Sequence, residues 1–489
     1  MLEKGKWFNP ADFPKSNWNV KRWFWLPVLR FFGFFKLTFF RHITVLSGVG
    51  VGGGSLVYAN TLPVPKNDFF TAESWSHLAD WKAELAPHYQ TALKMLGTTL
   101  NPRLETGDKA LRQLAQDLGK SELFEATNVA VYFGESDKPA PDPYFDGHGP
   151  ERTGCNFCGG CMVGCRFDAK NSLDKNYLYL ARKIGTRIQA ESMVSDISPL
   201  DGTDRKSGYR VSWIPSTRIF KRKFSFTCRG IVLAGGVLGT VPLLLKLKQS
   251  SLPRLSNRVG HRVRTNSESL LCVTTYDKDT VFSDGIAIGS ILHTDPHTHL
   301  EPVRYPSGSG FWRLLMSPLV VGSRFTTRIV RILGDFIRHP ILNLRIFLVS
   351  NWAERTQILL FMQTINSTLR LKRGLFGMRS SMEEGNAPTA FIPEAKQLAE
   401  HFAGIVNGRT RAFLTESVFG IPTTAHLLGG AVMGKDASEG VIDRDHCVFG
   451  YENFYICDGS SISANPGVNP SLSITALAER AMQKIPPKS

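Results

Sequence analysis

The sequence predicts an α/β protein of more than one domain, and three observations predict it. "RGIVLAGGVLGTVPLLLKL" (229–247) runs from an apolar strand through two glycines into a helix. "NFYICDGSSISANPGVNPSLSITALAERAMQK" (453–484) repeats strand, loop and helix near the far end of the chain. With 489 residues, 42% hydrophobic and 20% charged, the chain has the composition of a folded protein and more length than one simple core organises.

Taken in order, the first unusual stretch is "VKRWFWLPVLRFFGFFKLTFFRH" (20–42), which mixes Arg and Lys with nine aromatic residues. Residues 311–350 do the same with aliphatics. Neither holds an uninterrupted apolar run near the ~18–20 residues that cross a bilayer. Two readings stand for both: an interfacial segment, or buried helices whose arginines snorkel outward. The net charge of +16 favours an acidic partner such as an anionic membrane face, or is a solubilising excess. No recognition motif accompanies the charge, so nucleic acid is not an expected partner.

"SGVGVGGGSLVYAN" (47–60) follows the apolar run "ITVL". Its glycines let a backbone pass close to a flat or charged ligand and expose N–H groups, although a plain turn explains most such loops. In 229–247, Ile231 to Ala234 read as a fully buried strand of the parallel type, and Gly235 and Gly236 turn the chain into the helix. That unit brings a helix N-terminus to a ligand. In 453–484, Phe454 to Cys457 read as a strand ending at Asp458–Gly459. Asn469 reads as an N-cap with Pro470 at the first helical position. Ile474, Leu477, Ala478, Ala481 and Met482 then recur at helical spacing as one buried face. The N-terminus of this helix carries about half a positive charge, which suits developing negative charge on a cofactor.

Four of the eight cysteines fall in "TGCNFCGGCMVGCR" (153–166) as C-x2-C-x2-C-x3-C, the spacing of small ferredoxins. Four readings of Cys155, Cys158, Cys161 and Cys165 stand: an iron–sulfur cluster, a structural zinc, a disulfide, or plain buried thiols around a glycine turn. Arg166 follows where ferredoxins continue with proline, and the chain lacks a second cysteine group. Thiols or a disulfide, with no metal, is the reading taken.

"GVGVGGGSLVYAN", "LAGGVLGT", "TTAHLLGGAVMG" and "DGSSISANPGVNPSLSITALAERAM" resemble the glucose–methanol–choline (GMC) family of FAD-dependent alcohol oxidoreductases. Within it the chain is most similar to the bacterial cholesterol oxidase-like members. The resemblance implies a discontinuous Rossmann-like FAD domain of glutathione reductase type from 1–66, 180–265 and 425–489. It implies an α+β substrate domain with an antiparallel sheet from 67–179 and 266–424. It places FAD against Glu3 (adenosine ribose), Gly52, Gly53, Gly54, Ser55, Asn60, Val194, Ala234, Gly235, Asp458, Gly459 and Pro470. His426 in "TTAHLLGG" matches the family's catalytic histidine and Asn469 its second active-site residue. Without the resemblance, such a histidine reads as packed and such an asparagine as a cap. The sequence departs from the commoner "HPLGGC" pattern at Leu427 and Ala431.

The family opens with strand, G-x-G-x-x-G and helix, whereas this chain opens with "MLEKGKWF". The expectation is that a unit of about 30 residues precedes Met1, and that an N-terminal signal can lie with it. The implied activity is oxidation of a secondary alcohol on a large apolar substrate, cholesterol or a related sterol, by hydride transfer to flavin N5 with O2 as acceptor. Two alternatives stand: a dehydrogenase using a quinone or protein acceptor, and a cofactor-free protein associated with membrane. The expected location is cytoplasmic or peripheral to a membrane. Glu268, Glu301 and Glu416 read as surface or salt-bridged acids.

Overall fold

The strand-forming runs of the middle of the chain assemble into one antiparallel sheet. The computed structural model describes residues 1–486 except 202, 203, 321, 323, 366, 376, 386 and 387. In chain order the elements that frame the site begin with β1 (Phe35–Phe39), β2 (Thr44–Gly48), α1 (Trp81–Met95), α2 (Thr106–Asp117) and β3 (Phe124–Ala126). There follow β4 (Ser192–Asp201), β5 (Asp204–Pro215), β6 (Phe224–Cys228), β7 (Ile231–Leu233) and α3 (Val237–Lys248). Next come β8 (Ser269–Thr275), β9 (Ser290–Asp295), β10 (Thr298–Val303), β11 (Met316–Pro318), α4 (Phe325–Arg338) and α5 (Pro340–Phe347). The chain continues through β12 (Thr356–Gln363), β13 (Thr368–Gly374), β14 (Gly377–Glu384), α6 (Pro393–Ile405) and β15 (Gly408–Phe413). It closes with β16 (Thr423–Thr424), β17 (Phe454–Ile456) and α7 (Ser471–Lys484).

The seven-stranded sheet has the order β11-β15-β8-β12-β10-β9-β3, every pair antiparallel. Both faces of its centre are covered, which is why "SLLCVTT" and "TQILLFM" are buried along their length rather than at alternate residues. Alternation still sorts the side chains. Leu271, Val273, Leu359 and Phe361 pack on one face with Leu111 of α2 and Phe402 of α6. Leu270, Cys272, Leu360 and Met362 point the other way, into a cluster with Trp23, Phe34 and Trp312.

The pieces read as nucleotide-domain parts pack around a core of their own. β7 and β17 pair in parallel, Ile231 opposite Phe454 and Leu233 opposite Ile456. β4, β5 and β6 form an antiparallel meander, and β16 lies parallel to β2. α7 packs on α1, burying Trp81, Leu85 and Tyr89 against Leu472, Ala476 and Leu477. The architecture is the mixed α/β one with a separate antiparallel sheet that the sequence predicts.

Three local expectations need correction. Ile231–Ala234 is not buried throughout, since Val232 is 45% exposed on one side of the β7–β17 pair. α7 begins at Ser471 with Pro470 as its cap residue, so Asn469 lies one position outside and caps nothing. The buried face of α7 is centred on Leu472, Ala476, Leu477 and Ala481, and Met482 is exposed.

The aromatic stretch 20–42 divides between its two readings. Trp23, Phe34 and Phe35 are core, whereas Leu26, Val28, Leu29 and Phe39 are exposed. Among the described residues no helix is long and apolar enough to cross a membrane.

Candidate active site

The sheet face under β16 and α7 carries acids among apolar residues. Leu270, Leu360 and Glu301 are register neighbours across β8, β12 and β10, and His299 stands opposite Met362 one row on. Glu268, two residues before Leu270, falls on the same face by alternation. Glu268, Glu301 and Glu416 are all buried, which removes the surface half of their reading and leaves the paired one, Glu268 against His426 and Glu301 against His299. The signal that could have found the first two is a lone carboxylate embedded in an apolar strand run, "TNSESLLCV" and "THLEPV". A buried carboxylate needs donors or a cation.

Both have partners. The β16 turn delivers three donors to Glu268: the Thr424 hydroxyl donates to Oε1 (2.9 Å), the Ala425 N–H to Oε2 (3.0 Å), and His426 Nδ1 lies 2.7 Å from Oε1. A carboxylate only accepts, so Nδ1 carries the proton and Nε2 is left as the acceptor. Burial disfavours charge on this imidazole, but the adjacent Glu268, with a further pull from Glu301, outweighs it and raises its pKa above the ordinary value. Asn469 Nδ2 donates to Glu301 Oε2 at 3.3 Å, and His299 Nε2 lies 3.5 Å from Glu301 Oε1. The two predicted catalytic residues are therefore each held by a glutamate on one sheet face. Glu416, behind Glu268, takes the Thr423 N–H at 3.2 Å, and burial raises its pKa well above the usual range.

The predicted cofactor residues fall into two groups. In the first, Glu3 accepts the main-chain N–H of Gly5 (2.7 Å), and its carbonyl takes the N–H of Ser192, two residues before Val194. A Cβ on Gly5 would sit 2.4 Å from Gly50 N, so this segment is pressed against the glycine loop. In that loop Ser55 is used internally, donating to the Gly52 carbonyl and accepting from Leu173 N. A Cβ built on Gly53 or Gly54 meets nothing within 4 Å, so that side of the loop is open. Asn60 is fully buried at φ +70°, with both side-chain atoms unpartnered.

In the second group, Asp458 ties the two strand–turn–helix units together. Its carboxylate takes Gly236 N–H, the Thr240 hydroxyl and two donors of Ser460. The Asp458 and Gly459 carbonyls accept from Ser461 N and Gly429 N, so this turn is tied down on both sides, while Ala234 and Gly235 are exposed beside it. α7 has no side-chain cap, so its first N–H groups are open to an anion.

Buried polar atoms are seldom unpaired. Here the Asn60 amide, Asn266 Oδ1 and Asn469 Oδ1 lack hydrogen-bond partners. Orphaned amides, an open glycine loop and an uncapped helix N-terminus fit a large polar ring system such as a flavin.

The cysteine segment lies beside the glycine loop. All four thiols are free, which removes the disulfide reading. Burial pushes the Cys158 thiol up to about 11 and raises Cys155 and Cys161 as well. Lys170, which burial lowers to about 8, donates to the carbonyls of Leu56, Tyr58 and Cys161. Lys170 thus ties the backbone of the cysteine segment to that of the glycine loop.

A GMC oxidoreductase family model matches residues 352–478. The chain is 42% identical, over its whole length and 90% of the relative's, to a cholesterol oxidase of Acinetobacter baumannii. It is 40% identical, over its whole length and 87% of the relative's, to a cholesterol oxidase of Mycobacterium tuberculosis. Among solved structures, pyridoxine 4-oxidase from Mesorbium loti superposes with a TM-score of 0.61 at 13% identity, covering 99% of this chain and 93% of that one. The chain belongs to the GMC family and is an FAD-dependent alcohol oxidoreductase.

Proposed function

We propose that the chain oxidises the secondary alcohol of a large apolar substrate, cholesterol or a related sterol, with O2 as the electron acceptor. The observation that carries this reading is the His426–Glu268 pair, on an otherwise apolar sheet face that also holds Asn469 on Glu301. The two cholesterol oxidases at 40% identity or more support the sterol. FAD would be held by segments 1–66, 180–265 and 425–489: by Glu3 and Val194 at one end, by Gly52–Gly54 and Asn60, and by the turns at Ala234–Gly235, Asp458–Gly459 and Pro470. The remainder of the chain would shape the substrate pocket.

Bound FAD supplies the acceptor for the carbinol hydride. The hydroxyl proton passes to His426 Nε2, because Glu268 holds Nδ1. As the O–H bond breaks, the oxygen electron pair forms the C=O bond and the C–H pair leaves as hydride. Asn469 gives one N–H to Glu301 and has a second for the substrate oxygen, which fixes the carbinol hydrogen's direction. The first N–H groups of α7 offset negative charge at the end of the helix.

The test is anaerobic mixing of flavin-loaded protein with cholesterol, followed near 450 nm, the approximate oxidised flavin band. Bleaching, then recovery with peroxide on admitting air, is the expected course. Bleaching by simple alcohols but not by sterol would sink the substrate assignment. A reduced state that survives air but discharges to a quinone would replace O2 as acceptor.

A further inference from the structure

Outside the site, the largest unexplained feature is the helical hairpin α4–α5. Its underside is fastened. Arg328 donates to the carbonyls of Val418 (3.0 Å) and Gly322 (2.8 Å), and Ile332 and Ile346 are buried. Asn343 ties α5 to α4 through Asp335 Oδ2 at 3.0 Å. The outer side is apolar: Val330 is 67% exposed, Ile337 78%, Ile341 74% and Leu348 63%. Exposed apolar residues in this density mark an interaction surface rather than ordinary surface scatter.

Charge selects the partner. Residues 311–350 hold six arginines and one acid, Asp335, which is turned inward onto Asn343. Arg324, Arg331, Arg338 and Arg345 are exposed between the apolar side chains. A second apolar projection belongs to segment 20–42, which packs on Phe311 through Trp23 and Phe24. Val28, 89% exposed, and Leu29, 58% exposed, protrude beside Arg30. Trp18 touches Phe311, while Arg313, two residues on, donates to the Phe347 carbonyl at the end of α5. Segment 20–42, which holds this projection, contains five basic residues and no acid.

The hairpin also roofs something. A cavity of about 460 Å³ lies between it and the sheet, lined by Phe336, Leu344 and Phe347 from the helices and by Cys272 and Thr274 from β8. Those two residues continue the strand face that begins at Glu268.

We propose that the α4–α5 hairpin, with the Val28–Leu29 projection, docks on a bilayer containing anionic phospholipid. The arginines lie at the headgroups and the apolar side chains enter the acyl boundary, as in an interfacial amphipathic helix. The cavity beneath is the way by which an apolar substrate passes from bilayer to His426. That route rests on the proposed function; the docking does not.

The test is co-sedimentation of the full chain with sterol-free vesicles of phosphatidylcholine, with and without about one-third phosphatidylglycerol. Binding to the anionic vesicles alone, weakened by salt, is expected. The triple variant Val330→Asp, Ile337→Asp, Ile341→Asp should lower partitioning about tenfold or more. Arg338→Ser should lower it about fivefold, as for one headgroup-level charge. Circular dichroism checks that the variants fold, and Val330→Ser with Ile337→Ser serves if the aspartates do not. No preference for anionic vesicles, or parent-like binding by the triple variant, overturns the docking. Binding to polyglutamate that the triple variant retains, without vesicle binding, also overturns it in favour of an acidic protein partner. With sterol in the vesicles, the variant should lose turnover there and keep it on detergent-dispersed sterol. A parent that binds vesicles but oxidises sterol in neither form supports the docking and removes the route together with the proposed function.

Discussion

Two histidine–glutamate pairs sit in different parts of the molecule and behave oppositely. His426 and His261 each place Nδ1 on a glutamate oxygen, Glu268 and Glu383 respectively. His426 has its pKa raised and His261 has its pKa lowered. Burial opposes charge on both rings. Around His426 the next charge is Glu301, which adds to the pull of Glu268. Around His261 the next charges are Arg370 and Arg258, which work with burial against Glu383. The glutamate contact is alike; burial opposes it at both rings, and the further charges add to the rise at His426 and to the fall at His261. A base that must take a proton from an alcohol near neutral pH belongs where the surrounding charge welcomes it.

The largest break in that comparison comes from deleting each ring. His426→Ala should slow flavin reduction by a sterol about 10²–10⁴-fold, the span of general acid–base help. His261→Ala should leave it within about twofold, because that ring lies in a separate basic cleft beside Arg258 and Arg370. Stopped-flow reduction of flavin-loaded protein measures both, and equal effects would dissolve the distinction. Next in size is Asn469→Ala. It removes the group that orients the substrate oxygen, so reduction should fall about tenfold or more with flavin still bound. Because Asn469 caps nothing, any loss of thermal stability should follow Glu301, and Glu301→Gln in the same background should recover part of it.

The contrast between the pairs was only half legible in the sequence. His426 and Asn469 are legible as candidates because they sit in short contiguous motifs, as do the glycine turns at 52–54 and 235–236. Their glutamates, Glu268 just before β8 and Glu301 in β10, are 158 and 168 positions away, and antiparallel register that brings such residues together leaves no local trace. Position along a helix was also hard to read. Proline suits the first turn, but here Pro470 is the cap residue and the helix starts one residue later. The cysteines show a different limit. Their spacing leaves plain thiols and a disulfide equally open, and the structure, with all four thiols free, keeps the first of the two.

A smaller change sharpens the comparison without deleting the base. Glu268→Gln keeps the shape and removes the charge that raises His426. The acid limb of the reduction rate, where His426 must lose its proton to act, should move to lower pH. The effect should appear in kcat, with KM changed less, since Glu268 touches the imidazole and not the substrate. An unshifted limb would mean that Glu268 serves packing alone.

The smallest expected effect is on stability, and here the two histidines should disagree in direction. His426 binds its proton more tightly folded than unfolded, where its pKa is the ordinary value of about 6.5. It stabilises the fold fully below that value, and the contribution is lost as pH rises through its folded pKa. His261 binds its proton less tightly folded, so as pH falls from about 6.5 through its lower folded pKa the unfolded state gains the proton first and stability falls. Replacing His426 by Gln should therefore flatten a decline in Tm on the alkaline side of 6.5. Replacing His261 by Gln should flatten a decline on the acid side. In a chain of 489 residues each change is on the order of 1 °C, so the reading is the difference in slope between variant and parent across about pH 5 to 8. If both variants alter the same limb, the neighbouring charges do not set the two histidines apart as Glu301 and the Arg258–Arg370 pair require.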